Sequence, residues 1–262
     1  MISLRTSRST VLLYVVFSTV ITGVVGFQHA QQYYGSQRGR TVVPLFRSST
    51  TTTMLGAAAA KEQLTIYGHP GTRSPLVKWA CLELDVPFRM GKIADNPHPF
   101  QQLPCLADAD HGVVAFESGA ILQYLLDTYG SDSITRADRT LISSWIFWAN
   151  ASFDPICFKE TPQGKVYDTG LREPNHRVDE LDAILQKKQW LVGDTFSLAD
   201  IAVASYGLYV LLFFPQVSIA EQWPQLAHYL QRSAERPAYA EAFGAGMQTQ
   251  LVGLLQRDLQ KQ

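Results

Sequence analysis

The hydrophobic pattern of residues 64–84 predicts a strand, a turn and a helix. Leu64–Tyr67 is a short β-prone run, and the Gly-His-Pro-Gly sequence at 68–71 stops it. Apolar residues then recur at helical spacing as far as Leu84. We expect Ser74 to cap this helix and Pro75 to occupy its first position, where a missing N–H costs no hydrogen bond.

Residues 88–130 continue the pattern with three further strands and a second helix. We expect strands at Phe88–Ile93, Leu103–Leu106 and Val113–Phe116, with the last two paired across the turn at 107–112. The helix Gly119–Tyr129 follows and ends at Gly130. A proline-rich stretch with no regular pattern separates the first two of these strands.

The pattern from Arg136 onward is helical. The predicted helices are Arg139–Phe153, Arg177–Lys188, Ser197–Phe213 and Trp223–Glu235. A half that contains strands followed by a helical half predicts two packed domains, at 61–130 and 136–250.

The order of these elements, together with the local sequences, resembles the glutathione transferase family. The segments LTIYGHPGTRSPLVKWACLELDVPF, HPFQQLPCLAD and VVAFESGAILQYLLDTYG resemble its thioredoxin-like N-terminal domain. WLVGDTFSLADIAVASY lies where the family keeps its helical domain, so the resemblance covers roughly residues 63 to 250. It implies an α/β thioredoxin-like domain followed by an all-α domain, glutathione as co-substrate, a hydrophobic electrophile as the second substrate, and a homodimer.

The first 60 residues differ in composition from the rest. They contain five arginines and no acidic residue, and residues 11–25 form a mainly apolar run that ends before Gly26-Phe27. A basic, Ser/Thr-rich stretch follows, and its composition is typical of a plastid transit peptide. We interpret residues 1–60 as a signal-plus-transit leader of the type used by algae with secondary plastids. The alternatives are a membrane anchor with a tether, or the secretory pathway.

The charge and the cysteines of residues 61–262 exclude two classes of function. This part holds 17 basic and all 23 acidic residues, a net charge of −6, which argues against nucleic acid as a partner. Cys81, Cys105 and Cys157 have no partners at metal-ligand spacing, so neither a disulfide framework nor a metal site is indicated.

The resemblance assigns the cysteinyl and glycine parts of glutathione to the segment around Pro104. In the family a cis X-Pro bond at this place lets the preceding residue, here Leu103, pair with the cysteinyl backbone of glutathione. X-Pro bonds tolerate the cis form far better than other peptide bonds, and the alternative is an ordinary trans proline at a strand edge. Gln102 lies beside them and is the candidate neighbour of the glycine end.

The resemblance assigns the other end of glutathione to Glu117 and Ser118. A helix N-terminus offers free N–H groups and the positive end of the helix dipole. The Ser118 hydroxyl and these amides suit the carboxylate of the γ-glutamyl group, and Glu117 suits its ammonium. The alternative is an ordinary serine cap beside a solvated glutamate.

Three hydroxyls compete to stabilise the glutathione thiolate. The free thiol has a pKa of about 8.5, and a donated hydrogen bond favours its charged form. We rank Thr72 first, because it follows Gly-His-Pro-Gly where serine-type members carry serine, then Ser74, then Tyr67. No cysteine lies in this turn, which argues against the thiol-reducing branch, and we expect His69 to be a surface residue.

One part of the family pattern is missing. Members place a short helix before the cis-proline, often with a basic residue for the glycine end of glutathione. Here about ten residues separate Phe88 from His98, too few for that helix and its connections. His98 is close by, but neither it nor Gln102 is a strong carboxylate clamp.

The helical half carries a predicted capping box and a candidate pocket. Ser197 and Asp200 have capping-box spacing, which serves folding. The family places its hydrophobic substrate pocket on the helix equivalent to 139–153, so Trp145 and Trp148, with Tyr206, are candidate pocket residues. Aromatic residues at that spacing are also common in protein cores.

Two functions remain. The first is a transferase that adds glutathione to an electrophilic, hydrophobic small molecule, in detoxification or a stress response. The second is a non-catalytic binding or assembly subunit of the same fold in the plastid.

Overall fold

The structure, a computed structural model, describes residues 64–261. It opens with a four-stranded sheet, and the predicted leader at 1–60 lies outside the described residues. The strands are β1 (Leu64–Tyr67), β2 (Phe88–Met90), β3 (Cys105–Asp108) and β4 (Val113–Phe116). Their spatial order is β2-β1-β3-β4, in which β2 runs parallel to β1 and the other two pairs are antiparallel. The predicted pairing of the last two strands is confirmed.

Two helices belong to this half: α1 (Ser74–Glu83) and α2 (Ser118–Tyr129). Alternate residues of β1 face opposite sides of the sheet, and Leu64 and Ile66 are fully buried in the core with Trp79 and Ile121 of the helices. This order of elements is the thioredoxin-like one that the sequence predicts.

Two strand predictions had the wrong bounds: the second was too long, and the third was shifted by two residues, since the strand runs from Cys105 to Asp108 rather than from Leu103 to Leu106. The second strand ends at Met90, because the chain turns at Gly91 and forms a single 3-10 turn at Ile93–Asp95 instead of continuing. The third strand begins at Cys105 rather than Leu103, and Pro104 before it has no N–H to give to the ladder. The 3-10 turn stands where relatives are expected to have a helix.

The second half consists of helices around one central helix. They are α3 (Arg136–Trp148), a π-helical segment (Ala149–Phe153), α4 (Asp154–Cys157), α5 (His176–Leu185), α6 (Leu198–Phe213), α7 (Pro224–Ala234), α8 (Pro237–Phe243) and α9 (Ala245–Leu259). Residues 198–211 of α6 are all buried, which explains why this helix is apolar on every side.

The sequence pattern missed several features of this half. The last two helices were not predicted, and the final one continues to Leu259, past the expected boundary at 250. A small hairpin of β5 (Lys159–Glu160) and β6 (Val166–Asp168) interrupts the helices, and a 3-10 turn follows at Gly170–Arg172. Within residues 64–261 no helix combines the length and the apolar character needed to cross a bilayer.

The capping box of α6 is confirmed. The Asp200 carboxylate accepts hydrogen bonds from the Ser197 amide at 2.9 Å, the Ser197 hydroxyl at 3.0 Å and the Leu191 amide at 2.9 Å. These hydrogen bonds fix the start of α6, and two tyrosines further along the same helix, Tyr206 and Tyr209, contact the candidate site.

Candidate functional site

The turn between β1 and α1 is held together by its own polar groups. The Thr72 amide and the Thr72 hydroxyl both donate to the His69 carbonyl, at 3.1 and 2.9 Å. The His69 Nδ1 atom accepts the Gly71 amide at 3.1 Å, so this imidazole shapes the turn. Thr72 is half-buried, which leaves part of its side chain accessible.

Ser74 lies behind Thr72 and does not cap the helix. Helix α1 begins at Ser74 itself, Arg73 precedes it, and no side chain caps this start. The prediction of Ser74 as the N-cap is therefore wrong. Ser74 is 1% exposed, and its Oγ atom lies 2.5 Å from the Thr72 Oγ1 atom. Its hydroxyl thus contacts Thr72 rather than the surface of the turn.

Tyr67 points toward the edge of the sheet. A Cβ atom on Gly91 would lie 2.5 Å from Tyr67 Cε1 and 2.8 Å from Thr65 Cγ2. Tyr67 and Thr65 therefore share the sheet face opposite the buried Leu64 and Ile66, beside β2. The rank of Tyr67 among the candidate hydroxyls stays a prediction.

The helical half holds the same turn from the other side. The Tyr209 hydroxyl donates to the Thr72 carbonyl at 3.3 Å. The Arg73 guanidinium bonds both carboxylate oxygens of Asp154 at 2.7 Å and lies over the Tyr206 ring, 5.3 Å from its centroid. No local signal in the sequence identifies these partners, because they lie 81 and more residues from the turn.

The start of α2 has no side-chain cap. Glu117 precedes the helix with φ 66° and ψ 124°, and its side chain does not cap the first turn. A positive φ is uncommon for a residue other than glycine and often marks a functional position. Since the first amides of a helix have no partners within it, those of α2 remain available as donors.

Ser118 is tied to the helical half through Asn150. The Ser118 hydroxyl donates to Asn150 Oδ1 at 3.1 Å, and the Tyr206 hydroxyl donates to the same atom at 3.0 Å. Burial raises the pKa of Tyr206 to about 12, so this hydroxyl is a neutral donor at physiological pH. A Cβ atom on Gly119 would lie 2.8 Å from Asn150 Nδ2, which shows how closely the two segments approach.

Asn150 is a site residue that the sequence analysis missed. It lies in the π-helical segment, and its Nδ2 atom donates to the Ile146 carbonyl at 2.8 Å, which fixes the orientation of the amide. Single π-helical turns inside α-helices are frequent at functional sites. The π segment also delivers Asp154 to Arg73, so it serves both ends of the candidate site.

The loop before β3 carries the remaining candidates. The predicted cis bond between Leu103 and Pro104 is present. Gln102 and Leu103 are half-buried, and the Gln102 carbonyl accepts the Asn96 side-chain amide at 2.9 Å. Because β3 begins at Cys105, Leu103 lies just outside the sheet ladder, next to the turn that holds Thr72.

His98 is a structural residue of this loop. It is 2% exposed, packs on Phe116 with ring centroids 4.7 Å apart, and accepts the Phe100 amide on Nδ1 at 3.0 Å. Burial lowers the pKa of His98, although the Glu117 carboxylate opposes this shift. His98 therefore supplies a neutral ring rather than a cation for a ligand carboxylate.

Among the three candidate pocket residues, Trp145 and Trp148 contact each other, whereas Tyr206 packs against Arg73. Trp145 and Trp148 pack edge to face at 5.4 Å, and Trp148 stacks on Phe153 at 5.2 Å. Tyr206 is 1% exposed, so its ring contacts Arg73 in the interior and does not line an open pocket. The two described clefts, of 110 and 290 Å³, lie elsewhere in the helical half, at 211–261 and 187–194.

The cysteines and acidic residues of the described part add no further centre. Cys81, Cys105 and Cys157 are buried and free. Among residues 64–261 no group of three or more His, Cys, Asp or Glu side chains is placed to hold a metal ion.

Both halves match a known family. The Glutathione S-transferase N-terminal domain matches residues 62–127, and the Glutathione S-transferase C-terminal domain matches residues 121–237. This chain belongs to the glutathione S-transferase family. The match covers the sheet, the turn with Thr72, both ends of the candidate site and most of the helical half.

Relatives of this chain include fungal and bacterial proteins. Glutathione S-transferase-like protein OpS6 of Beauveria bassiana is 28% identical over 54% of this chain and 72% of its own length. Glutathione S-transferase GstB of Escherichia coli is 28% identical over 56% of this chain and 74% of its own length. The likeness therefore spans most of each relative.

Solved structures share the fold. Ure2p in complex with S-hexylglutathione matches with a TM-score of 0.57 and 19% identity, over 70% of this chain and 98% of its own. Ure2p5 from Phanerochaete chrysosporium, cocrystallised with 1-(S-glutathionyl)-2,4-dinitrobenzene, matches with a TM-score of 0.56 and 19% identity, over 74% and 98%. At this identity the match establishes the fold, and the ligands belong to those proteins.

Proposed function

We propose that this protein binds glutathione and transfers its thiolate to an electrophilic, hydrophobic small molecule. The observation that carries the proposal is the position of Thr72: its half-buried hydroxyl stands at the start of α1, in the turn that follows β1. A hydroxyl donor next to a helix N-terminus favours the charged form of a bound thiol.

The other groups of the site suit the remaining parts of glutathione. The first amides of α2 suit the γ-glutamyl carboxylate, together with the Ser118 hydroxyl once its single proton turns from Asn150 to the ligand, and the exposed Glu117 carboxylate suits the ammonium. The main chain of Leu103, outside the ladder of β3, suits the cysteinyl amide in a strand-like pairing. Gln102 remains the proposed neighbour of the glycine end, and Trp145 and Trp148 remain proposed contacts for the second substrate.

The reaction needs only a modest lowering of the thiol pKa of glutathione. Glutathione loses its thiol proton to solvent, and the resulting thiolate attacks the electrophilic carbon. In a substitution the new C–S bond replaces the bond to a leaving group such as halide, which departs as an anion; in an addition the resulting carbanion takes up a proton from solvent. Lowering the thiol pKa by about two units needs about 2.7 kcal/mol of preferential stabilisation of the thiolate. A charge-assisted hydrogen bond from Thr72 and the dipole of α1 are of this order together.

A binding test separates this proposal from a non-catalytic subunit. The 3-10 turn at Ile93–Asp95, in place of a longer helix, is the observation that favours the second function, since it removes part of the frame around the glycine end. Retention on immobilised glutathione, followed by turnover of an aryl halide, supports the transferase. Flow-through of the folded protein, with co-purification in a plastid complex, supports the binding or assembly subunit.

We also propose import into the plastid and assembly as a homodimer. The acid-free composition of residues 1–60 and the apolar run before Phe27 support the leader. A fluorescent fusion of residues 1–60 should enter the plastid, and retention in the endoplasmic reticulum or cytosol would refute the leader. Light scattering of the purified protein should give twice the chain mass, and a monomer at micromolar concentration would refute the dimer.

A further inference from the structure

Two hydroxyls stand together at the start of α1. The Oγ atoms of Ser74 and Thr72 are 2.5 Å apart, and the Ser74 amide donates to Thr72 Oγ1 at 3.2 Å. Ser74 is 1% exposed, so its hydroxyl is shielded from solvent and from a bound ligand. Its only hydrogen-bond partner in the described part of the chain is Thr72.

The direction of the hydrogen bonds follows from counting protons. A threonine hydroxyl has one proton and two acceptor positions. The Thr72 proton is directed to the His69 carbonyl at 2.9 Å. The short contact with Ser74 is therefore made by the Ser74 proton, and Thr72 Oγ1 accepts two hydrogen bonds, from the hydroxyl and the amide of the same residue.

The Thr72 proton can change partner at little cost. The His69 carbonyl also accepts the Thr72 amide at 3.1 Å, so it keeps a partner when the hydroxyl turns away. Because the proton and the two acceptor positions of the hydroxyl turn together about the Cβ–Oγ1 bond, one of the two bonds from Ser74 weakens in that rotation while the other keeps the oxygen in place. The hydroxyl is thus held at a fixed place with its single proton free to turn toward an incoming anion.

The turn is also shaped around the Ser74 hydroxyl. A Cβ atom on Gly68 would lie 1.8 Å from Ser74 Oγ and 2.3 Å from Ser74 Cβ. Only glycine leaves room for the serine side chain at this point. The absence of a side chain at Gly68 therefore gives Ser74 its position beside Thr72, and this observation is independent of the hydrogen bonds themselves.

We propose that Ser74 is a positioning residue that donates to Thr72 Oγ1 and so makes the Thr72 proton available to the sulfur anion of glutathione. This inference rests on the proposed function. Ser74 does not contact the sulfur; it fixes the Thr72 hydroxyl and polarises it, because donors in a hydrogen-bonded chain strengthen one another.

The test is a double-mutant cycle read by the thiol of bound glutathione. Wild type, Ser74→Ala, Thr72→Val and the double variant are titrated with glutathione bound, following the ultraviolet absorbance of the thiolate against pH. Ser74→Ala should lower the acid dissociation constant of the bound thiol about 3- to 10-fold, a rise in its pKa of about 0.5 to 1 unit, which is the effect of one hydrogen bond. Thr72→Val should lower it further, and Ser74→Ala should add nothing once Thr72 is valine.

A matched control separates this effect from a loss of packing. Ser233 is fully buried, and its hydroxyl donates to the Tyr229 carbonyl at 2.8 Å, within the helical half. Ser233→Ala should change the melting temperature without moving the thiol titration. If Ser74→Ala does not fold, Ser74→Cys, which is nearly isosteric and a weaker donor, should shift the titration in the same direction.

The outcomes distinguish the inference from the function on which it rests. If glutathione bound to the wild type titrates like the free thiol, the proposed function fails and Ser74 has no thiolate to serve. If the wild type forms the thiolate and Ser74→Ala or Ser74→Cys titrates like it, the positioning role is wrong and the function stands. The positioning role would also be wrong if Ser74→Ala shifted the thiol pKa by the same amount in the wild type and in Thr72→Val.

Discussion

The two ends of strand β3 carry polar clusters of opposite character. At the far end, Asp108 is 1% exposed and accepts hydrogen bonds from the Tyr124 hydroxyl at 2.7 Å, the Tyr129 hydroxyl, and the amides of Asp110 and His111 at 3.0 and 3.1 Å. At the near end, past Pro104, the Thr72 proton is directed to a carbonyl that already has a partner.

This difference suggests that one end of β3 stabilises the fold and the other end is available for ligand binding. The Asp108 carboxylate is saturated, and its donors Tyr124 and Tyr129 belong to α2, so it fixes that helix. The opposite end of α2 is the uncapped start with Ser118. The saturated carboxylate thus holds one end of α2, and at the other end the first amides of the helix have no side-chain cap.

Replacing Asp108 should give the largest effect on stability. Asp108→Ala leaves two tyrosine hydroxyls and two amides without their acceptor, so we expect the free energy of unfolding at pH 7 to fall by about 3 kcal/mol. Urea denaturation measures this. The thiol pKa of bound glutathione should not change, and a shift comparable to that of Thr72→Val would contradict the separation of the two clusters.

Asp108 also makes the stability of the protein depend on pH. Burial alone would raise the pKa of Asp108, but hydrogen bonds from Tyr129, Tyr124 and His111 outweigh it and hold this pKa well below its usual range. A lowered folded-state pKa stabilises the protein above the unfolded pKa, about 3.9, and this contribution is lost as the pH falls below it. The stability difference between wild type and Asp108→Asn should therefore shrink below about pH 4, and a difference that grows there would contradict the assignment.

Ser118 should govern affinity. Ser118→Ala removes a donor to the ligand carboxylate, so glutathione binding should weaken by about 1–3 kcal/mol in calorimetry. Ser143→Ala is the control, because the Ser143 hydroxyl donates only to the Arg139 carbonyl within α3, at 2.8 Å. Unchanged affinity in Ser118→Ala would count against this half of the site.

Thr72 should govern the rate. Thr72→Val keeps the shape of the side chain and removes the donor, so kcat/KM for an aryl halide at neutral pH should fall about 10- to 100-fold, equivalent to about 1.4–2.7 kcal/mol. Thr72→Ser should keep most of the activity. A collapse of turnover in Tyr67→Phe with wild-type rates in Thr72→Val would reassign the thiol-activating hydroxyl.

Asn150 should give the smallest effect. Asn150→Ala frees the Ser118 and Tyr206 hydroxyls, and because Ser118 keeps its place at the start of α2, glutathione affinity should fall by only about 1 kcal/mol. Asn150→Asp keeps an acceptor for both hydroxyls but places a negative charge beside the ligand carboxylate, so it should bind glutathione more weakly than Asn150→Ala. Equal affinity of both variants and wild type would show that Asn150 serves folding alone.

The sequence predicted features that depend on neighbouring residues, and it missed those that depend on residues far apart in the chain. The strand pairing, the cis bond at Pro104 and the capping box at Ser197 depend on residues a few positions apart, and the structure has them. Asn150 was missed because its partners Ser118 and Tyr206 lie 32 and 56 residues away. The role of Ser74 as a cap was wrong for a local reason, since the hydroxyl turns toward Thr72 rather than toward the first amides of α1.

The central claim is that the turn at Thr72 stabilises the thiolate of bound glutathione. The most direct measurement is the ultraviolet titration of glutathione in complex with the wild type and with Thr72→Val. We predict a thiol pKa about two units below the free value of about 8.5 in the wild type, and a return most of the way to that value in Thr72→Val. Titration of the wild-type complex at the pKa of free glutathione would contradict the account.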